Sequence, residues 1–96
     1  MIPMVIVLTA KNEADVPELE KLLKQQSAES LKEPGCERFE VYHSTNDAKV
    51  FILCEHWADQ PSIDAHRQAN AYKTIYQPKV LPLVERVPHV SKLIAS

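Results

Sequence analysis
Met4 to Thr9 reads Met-Val-Ile-Val-Leu-Thr, an apolar run with no charge inside it. It is long enough for a strand and too short for a helix that stands alone, so it predicts a β-strand covered on both faces. The period then changes. Asp15 followed three residues later by Glu18 is capping-box-like, and Pro17 is tolerated in a first turn whose amides lack intrahelical partners. Val16, Leu19, Leu22, Leu23 and Leu31 recur near helical spacing, with Glu18, Lys21, Lys24 and Gln25 on the other side. That pattern predicts a helix with one apolar stripe on a core, ended by Pro34-Gly35.

Glu37 to His43 and Lys49 to Trp57 are the next two expected strands, joined by the turn-forming loop Ser44-Thr45-Asn46-Asp47-Ala48. With His43 opposite Lys49, Phe39 faces Leu53, Val41 faces Phe51 and Glu37 faces Glu55. The reverse face then holds Tyr42, Val50, Ile52 and Cys54 beside Arg38 and Glu40, too apolar to stay in water, so something must cover it. Asp59 can cap a helix with Pro61 in its first turn, running through Ala65, His66 and Arg67 to about Ala69. A further helical segment begins near Asn70, with Tyr72, Ile75 and Tyr76 at helical spacing, and Pro78 and Pro82 make the stretch before Val84 irregular. Pro88 to Ile94 reads as a closing strand. The order strand, helix, strand, strand, helix, strand is that of an α+β, ferredoxin-like βαββαβ fold with a four-stranded antiparallel sheet.

A chain of 96 residues supports one core, so residues 1–96 are read as a single domain. The net charge of −2, with acids and bases interleaved, leaves no basic face for phosphates and argues against nucleic acid. The first apolar run holds Pro3 and is about half the ~20 residues that a membrane span needs, with no basic flank or cleavage site. No membrane association is expected, and a cytoplasmic location with reduced cysteines is. Cys36 and Cys54 fall on diagonal positions of the expected hairpin, ~7–8 Å apart, beyond the ~7 Å reach of a disulfide. His43, His56 and His89 are scattered and the chain has one glycine, so neither a metal site nor a glycine-rich phosphate loop is expected.

The densest chemistry lies in Glu55-His-Trp-Ala-Asp-Gln-Pro-Ser-Ile-Asp-Ala-His66, which joins the polar end of an apolar strand to a capped helix. Trp57 shares strand parity with Phe51, Leu53 and Glu55, so its indole faces the helices, either as a wall for an aromatic ligand or as plain core. His66 can turn toward the same cleft as a base that works near neutral pH, or serve as a structural cap bonded to a carbonyl or to Glu55. Glu55 is a general acid or base if desolvated with Glu37; otherwise it pairs with Arg38, His66 or a cation from another chain. Tyr72 and Tyr76 offer hydroxyls to a cavity, or form an apolar stripe.

With Pro34-Gly35-Cys36, Arg38-Phe39-Glu40-Val41, Glu55-x-Trp57 and His66, the chain resembles the antibiotic biosynthesis monooxygenase superfamily. The resemblance implies a homodimer whose sheets meet in an α/β barrel, with a cavity between sheet and helices. Its members include oxygenases of polycyclic phenols and quinols that use neither metal nor flavin, haem-degrading enzymes and an isomerase-like signalling branch. Departures are plain. Ala69-Asn70-Ala71-Tyr72 replaces a stretch that carries a second histidine in many members. The haem-degrading Asn, Trp and His positions hold Val5, His66 and Tyr76, and Leu53 stands where some polyketide-tailoring members have Asn. What the resemblance implies is a cofactor-independent monooxygenase of a small aromatic, phenolic or quinol substrate. His66 and Glu55 would be catalytic, and Trp57, Phe39, Tyr72 and Tyr76 would bind substrate. A non-catalytic binding dimer, and an isomerase or lyase of a small carbonyl compound, stay open.

Overall fold
The N-terminal apolar run becomes an interior strand, Ile2–Ala10 (β1), paired antiparallel with Val50–Trp57 (β3) on one side and Val84–Val90 (β4) on the other. Cys36–His43 (β2) flanks β3, so the computed structural model, which describes residues 1–96, holds an antiparallel sheet ordered β2-β3-β1-β4. Helices Val16–Ser30 (α1) and Gln60–Gln68 (α2) and a π-helix, Tyr72–Val80, pack on one face of it. This is the expected ferredoxin-like α+β fold. No helix is long and apolar enough to cross a membrane.

The core lies between that face and the helices. Met4, Ile6, Leu8 and Ala10 of β1 are buried with Leu19, Leu22 and Leu23 of α1, Phe51, Leu53 and Trp57 of β3, and Ile63 of α2. β1 is not covered on both faces as its composition predicts: Val5, on the reverse side, is 36% exposed, because all the helices lie on the other side. That bare face also carries Tyr42 and Val87, both about half exposed, and a polar strip in which Arg38 and Tyr42 both engage the Glu40 carboxylate.

The hairpin register differs from the expected one by two residues. His43 pairs with Phe51, Val41 with Leu53 and Phe39 with Glu55, and an irregularity between Cys36 and Arg38 carries Cys36 to Trp57. The loop is longer because Ser44 Oγ accepts from the amides of Asn46 and Asp47, both at 3.1 Å, and delays pairing to Val50. A shift of two keeps every side chain on its face, so the division into helix-side and bare faces stands. Glu37 falls in the irregularity and does not oppose Glu55. Cys54 pairs with Glu40 rather than lying diagonal to Cys36, and both cysteines are free.

Helix boundaries follow local hydrogen bonds. Asp15 makes no capping bond; Asn12 does, its Oδ1 accepting from Ala14 N at 2.9 Å to start a 3-10 turn at Glu13–Asp15 that leads into α1. α1 ends at Ser30, so Leu31 is exposed rather than part of the stripe. Asp59 caps α2 as expected, accepting from Ser62 N at 2.9 Å. The last strand is Val84–Val90, not Pro88–Ile94, and Leu93 and Ile94 are exposed. Pro88 sits mid-strand because β4 is an edge, where a missing N–H is tolerated.

Candidate active site
His66 is brought inward by the capped start of α2, and only 7% of it is exposed. Its ring lies 4.4 Å from the Trp57 ring, 5.7 Å from Tyr72 in an edge-on contact and 6.2 Å from Phe39. The expected partner of His66, Glu55, is not the one it has. Nδ1 stands 2.7 Å from Oε1 of Glu33, a residue given no role from sequence. A carboxylate accepts, so Nδ1 carries a proton, and in the neutral ring Nε2 is the nitrogen with the lone pair.

Glu33 reaches α2 because of the chain's only glycine. Gly35 has φ +83°, and its carbonyl accepts from Ala58 N at 2.8 Å. A Cβ at this position would come within 2.5 Å of Ser62 Cβ, so only glycine lets the loop lie flat against the helix start. No spacing rule links Glu33 to His66; the one signal in the sequence is that solitary glycine two residues after a carboxylate.

Glu55 is 3% exposed, and its Oε1 accepts from Trp57 Nε1 at 2.9 Å. Burial pushes its carboxyl above the ordinary value of 4.5, against the Trp57 hydrogen bond and the Arg86 guanidinium, which pull it down. Opposite it, Arg86 of β4 donates from Nε to the Tyr76 hydroxyl at 2.9 Å. Burial drives the Tyr76 hydroxyl up to about 12 despite that guanidinium, so it stays protonated and can donate.

These groups enclose a cavity of ≈20 Å³, lined by Met4, Ile6, Gln26, Glu55, Ile63, His66, Arg67, Tyr72, Tyr76 and Arg86. That is room for one water. Of the residues singled out from sequence, Glu55, His66, Tyr72 and Tyr76 meet on its wall. Trp57 and Phe39 stand behind it, buried at 0% and 2% exposure, where they support His66 and, through the indole N–H, Glu55. Glu33, Gln26 and Arg86 were the residues missed. The π-helix places Tyr72 and Tyr76 on one side, ring centroids 5.4 Å apart; wide helical turns of this kind recur at functional sites. No three His, Cys, Asp or Glu side chains are grouped so as to hold a metal ion.

The family model for antibiotic biosynthesis monooxygenase matches residues 1–78. Among solved structures, a conserved protein of unknown function from Bacteroides thetaiotaomicron is 24% identical, with a TM-score of 0.88 over 96% of each chain. A Nitrosomonas europaea protein described as a candidate antibiotic biosynthesis monooxygenase is 20% identical, with a TM-score of 0.88 over 99% of this chain and 100% of that one. SnoaB, a cofactor-independent oxygenase from Streptomyces nogalater, is 12% identical, with a TM-score of 0.85 over 99% and 94%. At these identities the likeness establishes the fold. No curated protein matches the chain.

Proposed function
Because the chain belongs to the antibiotic biosynthesis monooxygenase family, we propose that it oxygenates a small phenolic or quinol molecule without a cofactor. The observation that carries this reading is the Glu33–His66 pair at 2.7 Å beside the cavity that His66 lines; with Nδ1 engaged by Glu33, Nε2 is the nitrogen left to act as base. SnoaB, an oxygenase of the same fold, supports it.

In this mechanism Nε2 takes the phenolic proton and Glu33 stabilises the imidazolium that forms. The phenolate gives one electron to O₂, and the phenoxyl radical and superoxide recombine into a new C–O bond. The resulting peroxide is protonated and its O–O bond breaks. One oxygen stays on the ring as a carbonyl, and the other leaves as water with the ring hydrogen and the added proton. The substrate supplies all the electrons; the protein supplies the base and a dry site. A ring is larger than ≈20 Å³, so the cavity must widen for it to enter.

The same small cavity favours a second reading, acid–base chemistry on a small carbonyl compound, with Glu55 as proton donor and His66 as base. In either case we expect a dimer closed over the bare sheet face, whose apolar residues need a cover. Oxygen uptake by the metal-stripped protein with a panel of phenols and quinols tests the first reading. Uptake should be lost in His66→Ala with the fold intact. Uptake unchanged by His66→Ala rejects the base, and no uptake with any member of the panel moves the assignment to the second reading.

A further inference from the structure
We infer that Gln26 is a ligand-binding residue, whose side-chain amide is the hydrogen-bonding group of the α1 wall for a second oxygen on the molecule that enters the cavity. The inference rests on the reading that this cavity is the substrate site. Gln26 continues the buried stripe of Leu19, Leu22 and Leu23 at helical spacing, a place where leucine would pack without cost. It is instead polar, 1% exposed, and its Oε1 has no partner.

An unpaired buried acceptor destabilises a fold, and the neighbours avoid that state. Glu55 accepts from Trp57, Glu33 holds His66, and Tyr76 accepts from Arg86. Among the polar side chains on the cavity wall, Gln26 is the one with a buried oxygen left over. Ser30 Oγ is also buried without a partner, one turn further along α1, but it does not line the cavity. An amide carries a donor and an acceptor, so it suits a hydroxyl or a carbonyl equally. Projecting from α1 while His66 projects from α2, it selects a ring that bears two oxygens over one that bears a single hydroxyl.

Calorimetry under nitrogen tests this with 1,4-naphthohydroquinone and 1-naphthol, on the wild type and on Gln26→Leu. The wild type should bind the hydroquinone about tenfold more tightly than the naphthol, the difference that one buried hydrogen bond makes. Gln26→Leu should lose that preference by weakening only the hydroquinone, and its thermal midpoint should rise. Unchanged hydroquinone affinity in the folded variant, or no binding of either compound to the wild type, overturns the inference. A fall in thermal midpoint in both Gln26→Leu and Gln26→Met also overturns it, by assigning the amide to the fold. Binding without O₂ contains no oxygenation step. Gln26-dependent binding without oxygen uptake would therefore remove the oxygenase reading alone, and uptake with Gln26-independent binding would remove this inference alone.

Discussion
Replacing Gly35 by alanine probes the contact on which the His66 site is built. Two costs arise. A residue with a Cβ held at φ +83° sits in the left-handed region, a penalty of about 1–2 kcal/mol. The new Cβ also lands 2.5 Å from Ser62 Cβ. A Cβ cannot rotate away, so the loop or the start of α2 must move, at about 1–3 kcal/mol for overpacking of this kind. The two together give about 2–5 kcal/mol, a large share of the ~5–15 kcal/mol that holds a domain. At a urea slope of ~2 kcal/mol/M, the middle of the usual range, the midpoint should fall by about 1–2.5 M. Ser62→Gly separates the terms: in its background Gly35→Ala should cost only the backbone part, since the facing Cβ and Oγ are gone. Displacing the loop also draws Glu33 away from His66, so the Nδ1–H tautomer, read from imidazole ¹⁵N shifts, should lose its dominance. A midpoint within about 0.3 M of wild type, with the tautomer retained, would refute the argument.

Two further outcomes are expected. Glu55 has a folded pKa above its unfolded value of 4.5; between the two the folded state holds the extra proton, so stability falls as pH rises through that window. Glu55→Gln keeps the oxygen that accepts from Trp57 and removes the charge, so its advantage over wild type in thermal midpoint should grow from pH 4.5 to 7; a constant difference would exclude this cause. Ile52→Lys places an unpaired charge on the bare sheet face and should weaken the proposed dimer at least ~100-fold, at several kcal/mol for a buried lone ion. Sedimentation at micromolar concentration reads this directly, and a monomeric wild type would remove the dimer.

Much of the fold was legible because periodicity survives errors of register. The β2–β3 pairing is two residues from the expected one, yet Phe51, Leu53, Glu55 and Trp57 still face the helices, since strand side chains alternate with a period of two. The end of the chain is less legible. Pro88 marks a boundary in the sequence but lies mid-strand, because its tolerance depends on β4 being an edge, which is a fact of topology. The site was half legible. Glu55 and His66 stand out through an apolar strand and a capped helix, and both line the cavity. That His66 pairs with Glu33 rather than Glu55 depends on a loop folding back over 33 positions, and no local rule encodes it. Nothing in composition separates Gln26 from Gln25 beside it; one is buried and the other exposed through the rotation of α1 alone.

The place of β1 in the sheet has a consequence for how the chain is made. It is the most apolar strand and is made before the other three, yet one of its two neighbours, β4, is made after all of them, with Val5 beside His89. The β2–β3 hairpin can form early and accept β1 along β3. The other edge of β1 then waits, unpaired and sticky, for Val84–Val90 to emerge. Nascent chains therefore pass through a stage in which the future middle of the sheet is an open edge. The length of that stage is set by how quickly translation reaches β4.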